Sequence, residues 1–322
     1  MRFTEAELET AQRIVYAAMP PTPQYAWPLL AETLRLEVWV KHENHTPIGA
    51  FKLRGGLVHM AMRKERGDTG GVITATRGNH GQSIPFAAKR VGIAATIVCP
   101  VGNSFEKNAA MRALGAELIE TGHDFDAARE AAVQIGKERG LDYIPSFGRE
   151  LVLGVSTYAH ELFRAAGELD AVYVPIGMGS GICGTIAARD MLGLKTKVIG
   201  VVAAQANCYA LSWAAGKPVA TNTCQSFADG MAVRIPNAEA FEMIARGADR
   251  IVTVSEDEMA EAMRLYFSCC HSIAEGAGAA ALAALMQERQ LMRGKRAGVI
   301  LSGGNIDMPK FATVLEGRTP AP

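Results

Sequence analysis

Short apolar runs rich in β-branched residues alternate with longer segments of helical period along nearly the whole 322-residue chain. The runs Glu37–Lys41, Gly71–Ala75, Ala95–Cys99, Glu117–Glu120, Ala171–Ile176, Lys197–Ala203, Arg250–Val254 and Ala297–Leu301 read as strands. Between them Gly81–Val91, Ser104–Leu114, Asp124–Arg139, Gly181–Leu192 and Glu256–Cys270 read as helices. Ser104 and Ser255 precede acids in the first turn, as N-caps do. Parallel strands need a long crossover, and a helix supplies it. The expected fold class is therefore α/β, with mostly parallel, open, twisted sheets flanked by helices and room for two domains. The last residues, 317–322, read as a loose tail.

Apolar residues make up 49% of the chain and charged residues 20%, enough for a sizeable core. With 33 basic and 33 acidic residues, no net charge favours nucleic acid or an anionic membrane. No run approaches the roughly 20 apolar residues of a membrane span. The start of the chain carries Glu5, Glu7 and Glu9 rather than a basic, then apolar, leader, so a cytoplasmic protein is expected. The six cysteines have neither CxxC nor Cys/His ligand spacing, and no metal site is expected.

Four short motifs carry the chemistry. Gly177-Met178-Gly179-Ser180-Gly181 joins a strand to a helix, where converging N–H groups and the helix dipole suit a phosphate. Gly179 to Gly184 also satisfies G-x-G-x-x-G, so a nicotinamide dinucleotide is the rival ligand. That rival needs an acid ending the next strand, and Val198–Ala204 has none. Lys52 follows Pro47, Gly49, Ala50 and Phe51, with a helix expected to start around Gly49. A lysine beside an aromatic ring at a helix N-terminus loses proton affinity, as Schiff-base chemistry requires. Thr76-Arg77-Gly78-Asn79-His80-Gly81 can present N–H groups, a hydroxyl and an amide to a carboxylate; by itself it is equally an Asn/Gly turn. Ser302-Gly303-Gly304-Asn305 follows the last strand and would crowd the same sheet edge. An amine, an anion cradle and two polar loops together describe a site for pyridoxal 5'-phosphate (PLP).

In order and spacing these motifs resemble the serine/threonine dehydratase branch of the fold-type II PLP enzymes, from about Thr22 to Asn305. The resemblance implies a large PLP-binding domain from residues 1–46 and 151–322, and a small domain, 47–150, carrying the lysine. It implies that Lys52 holds the cofactor and later acts as base at Cα, and that Phe51 packs beside the cofactor. Asn79 would bond the ring hydroxyl, Gly177, Met178, Gly179, Ser180 and Gly181 the phosphate, and Ser302 the ring nitrogen, with Glu275 near the ring. Thr76, Arg77, Gly78, Asn79 and His80 would hold the substrate carboxylate.

Four departures from the family pattern stand out. Ala50 and the run Gly154-Val155-Ser156-Thr157 replace more polar residues, Arg77 replaces the serine of racemases, and Val202 replaces a cation-binding acid. The implied activity is loss of water from an L-threo-β-hydroxy-α-amino acid, giving a 2-keto acid and ammonia. Phenylserine, threonine and serine are the expected substrates, with phenylserine favoured by the apolar exchanges at Ala50 and Val155. β-Replacement and non-catalytic binding of PLP are the alternatives. The family also implies a homo-oligomer, at least a dimer.

Overall fold

The computed structural model describes residues 1–322. Its ten strands are β1 (Gln24–Ala26), β2 (Glu37–His42), β3 (Val72–Ala75), β4 (Ala95–Cys99), β5 (Glu117–Glu120), β6 (Asp142–Tyr143), β7 (Ala171–Pro175), β8 (Lys197–Ala203), β9 (Arg250–Val254) and β10 (Arg296–Leu301). They form a six-stranded sheet in the order β1-β2-β10-β7-β8-β9 and a four-stranded sheet in the order β5-β4-β3-β6. Every pairing is parallel except β1 against β2, where Tyr25 faces Val40.

Parallel strands covered on both faces must be apolar on both faces. Along β7, Val172 and Val174 belong to one buried cluster, and Ala171 and Tyr173 to the other. The period-2 alternation of a strand thus feeds two cores. One core takes in the helices Arg149–Ala166 and Ser180–Met191 and continues to Leu53, Leu57 and Ile84 beside the smaller sheet. The other rests on the alanine-rich helix Gly276–Gln287.

Four of the eight expected strands, β4, β5, β8 and β9, match to the residue. Ser104 and Ser255 do cap their helices, accepting from the N–H groups of Lys107 and Glu258. Two strands escape the sequence reading. β1 has three residues close to Pro23 and Pro28, and β6 has two, too few to show a period.

Two expectations are corrected. The helix expected near Gly49 begins at Lys52, because Gly49 has φ +68° and Ala50 forms a bridge with Gly303. The tail is anchored at two residues, with Pro320 buried and the Thr319 hydroxyl donating to Asp257, while Gly317, Arg318, Ala321 and Pro322 are exposed.

Beneath the start of the Lys52 helix lies a buried ion cluster. Arg54, with no exposed surface, donates to Glu43 Oε2 at 2.7 Å and to Glu161 Oε1 at 2.6 Å. Lys41 Nζ donates to Glu161 Oε2 at 2.5 Å. The cluster joins β2, the helix Lys52–Glu65 and the helix Arg149–Ala166, and its two cations balance its two anions.

Candidate active site

The carboxyl ends of β3, β7 and β10 open into one cleft of about 850 Å³. Ligands of open α/β sheets bind at such ends. All fourteen residues singled out from the sequence line this cleft: Phe51, Lys52, Thr76, Arg77, Gly78, Asn79, His80, Gly177, Met178, Gly179, Ser180, Gly181, Glu275 and Ser302.

Lys52 is the first residue of its helix. Its Nζ donates to Ser180 Oγ at 3.0 Å and to the Ser146 carbonyl at 3.4 Å, and it lies 5.2 Å from the Phe51 ring centre. No carboxylate lies within ion-pair distance of it. Burial without a counter-ion pushes the amine down to about 8.

The glycine run is shaped for close approach. A Cβ on Gly177 would stand 2.1 Å from the Gly230 carbonyl oxygen, and one on Gly179, where φ is +100°, 2.7 Å from Ala240 Cβ. The helix starting at Ser180 turns the unpaired N–H groups of its first turn toward the cleft end occupied by this run.

The Thr76–His80 loop is held from within. Thr76 Oγ1 accepts from the Gly78 and Gly81 N–H groups at 2.9 and 3.2 Å, so this hydroxyl shapes the loop. Asn79 Nδ2 donates to Glu275 Oε1 at 2.6 Å, and Asn79 Oδ1 accepts from Asn305 Nδ2 at 2.8 Å. The His80 ring is buried, with Nε2 unpartnered; burial first, then the charges of Lys52 and His59, push it down to about 3. It is a neutral imidazole. Arg77 sits at the rim, 3.6 Å from Asp229. Ser302 Oγ has one long contact, donating to the Ala277 carbonyl at 3.4 Å.

The structure also brings in residues that the sequence reading missed, among them Lys107, Phe125, Ser146, Asp229 and Val233. None lies in a recognisable motif. Lys107 reads as a solvated first-turn residue, yet it is buried, with Nζ 3.1 Å from Asp229 and 3.4 Å from Glu275. These carboxylates hold it protonated against the opposing effect of burial. Only tertiary folding places it there.

Two residues taken from the sequence as shaping the substrate pocket do not line it. Val155 is 1% exposed and packs against Gly184, and Ala50 is fully buried against Gly303. The cleft's apolar wall is instead Phe125, Met178, Ala232 and Val233, which continue into an adjoining pocket of about 420 Å³.

These residues fit pyridoxal phosphate. Gly177 and Gly179 have no room for a Cβ, the buried amine lacks an anionic partner, and the Ser302 hydroxyl has only one long contact to give up for a ring nitrogen. The fold and site together are those of a fold-type II PLP enzyme.

The family model for pyridoxal-phosphate dependent enzymes matches residues 15–303, and this chain belongs to that family. The biosynthetic L-threonine dehydratase IlvA of Escherichia coli is 35% identical over 305 residues, covering 94% of this chain and 59% of its own length. The chain thus spans about three-fifths of the threonine dehydratases it matches. The L-threo-3-hydroxyaspartate ammonia-lyase of Saccharomyces cerevisiae is 31% identical over 302 residues, covering 94% of this chain and 93% of its own. Among solved structures, the processed form of threonine deaminase isoform 2 from Solanum lycopersicum has 29% identity and a TM-score of 0.88, covering 98% of this chain and 94% of that one. The cofactor of the family is pyridoxal phosphate. No helix is long and apolar enough to cross a membrane.

Proposed function

We propose that this protein is an ammonia-lyase that removes water from L-threo-β-hydroxy-α-amino acids and releases a 2-keto acid and ammonia. The observation that carries the reading is the convergence of Lys52, the glycine cradle, the Thr76–His80 loop and Ser302 on one cleft.

Bound PLP supplies an electron-withdrawing group on the substrate nitrogen that acidifies the Cα proton. Lys52 Nζ, with its lowered proton affinity, takes that proton. Once protonated, the same nitrogen can return it to the departing β-oxygen, which otherwise leaves as the strong base hydroxide. Backbone N–H groups from Gly177 to Gly181 would face the phosphate, and those of Asn79 and His80 the substrate carboxylate, the Gly78 N–H being held by Thr76 Oγ1. Ser302 would offer a neutral hydroxyl to the ring nitrogen. Without a carboxylate there, little negative charge is drawn into the ring, which favours prompt elimination over racemisation. The water lost between Cα and Cβ is regained when the C–N bond hydrolyses.

The substrate side chain would rest on Phe125, Met178, Ala232 and Val233. This wall suits an aryl group, so L-threo-3-phenylserine is the proposed preferred substrate. It supports that choice in place of Ala50 and Val155. A hydroxyaspartate carboxylate would need a free cation, and both Arg77 and Lys107 are engaged by acids. The test compares kcat/KM for L-threo-phenylserine and L-threonine, with keto-acid release as the signal. A higher value for threonine rejects the aryl wall; no release from either rejects the lyase.

Residues 1–46 with 151–322 are proposed as the large domain and 47–150 as the small one. A homo-oligomer, at least a dimer, belongs to the same reading, and sedimentation of the purified protein checks it.

A further inference from the structure

Along the cleft wall runs a continuous chain of polar contacts. Arg77 Nη2 lies 3.6 Å from Asp229 Oδ1, and Asp229 Oδ2 accepts from Lys107 Nζ at 3.1 Å. The same Nζ lies 3.4 Å from Glu275 Oε2, while Glu275 Oε1 accepts from Asn79 Nδ2 at 2.6 Å. Asn305 Nδ2 then donates to Asn79 Oδ1 at 2.8 Å. The side chains of Lys107 and Glu275 are only 7% and 6% exposed. The Lys107 stem underlies the Gly78 turn, where a Cβ would meet Lys107 Cδ at 2.6 Å. Arg77, Lys107, Asp229 and Glu275 also line a second pocket of about 700 Å³, so they form a partition between two cavities.

Lys107 is the one cation within 4.0 Å of Glu275. Its other charged neighbour is Asp229, which Arg77 also faces. Lys52 lies across the cleft, and Asp307 and Lys310 line the second pocket. A buried carboxylate without a cation takes up a proton. Burial already pushes Glu275 up, and Lys107 opposes it. The Asn79 amide in turn has an acceptor at Nδ2 and a donor at Oδ1, and turning it over would lose both.

We infer that Lys107 is a positioning residue: by keeping Glu275 ionised it fixes the Asn79 amide, and with it the wall on which the cofactor ring seats. This rests on the reading of Lys52 as the residue that holds PLP. Borohydride reduction of the loaded wild-type protein, followed by peptide mapping, tests that reading separately; failure to label Lys52 removes the reading itself.

With the label in place, the visible absorbance of bound cofactor and its dissociation constant are followed against pH in wild type, Lys107→Met, Lys107→Arg and Lys107→Met/Glu275→Gln. Lys107→Met is expected to show a new one-proton transition above the ordinary carboxylate range. Below it, PLP binding weakens about tenfold or more, the scale of one buried charged contact. Lys107→Arg restores the wild-type profile. The double variant has no unpaired buried charge, so it folds even if Lys107→Met does not, and it shows no such transition. A Lys107→Met profile that matches wild type, or a transition that persists in the double variant, overturns the inference.

Discussion

At the scale of single residues, the chemistry depends on an amine in a dry place. Most lysines are solvated, and the sequence around Lys52 shows only small residues and one aromatic neighbour. The structure adds that its partners are neutral oxygens of Ser146 and Ser180. An amine near 8 is roughly one-tenth neutral at pH 7, where an ordinary lysine is almost wholly charged. Only the neutral form attacks an aldehyde. The rate of PLP uptake by the cofactor-free protein should therefore rise with pH and level off above about pH 8; stopped-flow absorbance checks this. Uptake still climbing tenfold per pH unit at pH 9 would place the amine at its ordinary value. Lys52→Ala should keep the far-UV dichroism of the fold and lose both turnover and the bound chromophore. Gly177→Ala should weaken PLP binding by about 2 kcal/mol or more, because its methyl can be housed only by moving the Gly230 carbonyl; equilibrium titration with PLP measures it.

At the scale of elements, the sequence shows the helix of Lys52 but not its start or its anchor. Gly49 can turn left-handed where other residues pay a steric cost, and this delays the helix to Lys52. The anchor is Arg54, which reads as one more charge in a Lys-Leu-Arg run. Its partners Glu43 and Glu161 lie 11 and 107 residues away along the chain. No local pattern encodes such a set. Removing one member of a buried, balanced cluster strands the others, at about 3–5 kcal/mol. Arg54→Met should lower the urea midpoint accordingly, with the slope unchanged. A shift under about 1 kcal/mol would mean that water or rearrangement satisfies Glu43 and Glu161.

At the scale of the whole molecule, the site lies between two sheets drawn from different parts of the chain. Arg77, Asn79 and Lys107 come from the stretch that builds the four-stranded sheet, and Asp229, Glu275 and Ser302 from the stretch around the six-stranded one. A ligand gripped from both sides binds the folded protein and not the unfolded chain. Cofactor at a hundred times its dissociation constant should add about 2.7 kcal/mol of stability, and its removal should lower Tm. Scanning calorimetry with and without PLP measures the difference; equal values would mean that the folded protein does not bind PLP in preference to the unfolded chain.

The alternation of short apolar strands with longer helical runs was enough to specify parallel sheets, because a parallel pair needs a long crossover and a helix supplies it. The four motifs were legible because glycine, lysine and polar loop residues each answer a local need at the end of a strand. Lys107, Asp229, Phe125 and the Arg54 partners were not legible, and Ala50 and Val155 were misread. Whether a side chain meets the cleft, the core or water depends on residues far away in sequence. The chain alone thus determined its layers and the chemical character of its site. Only the packing of two sheets decided which charges face each other and which wall a substrate would touch.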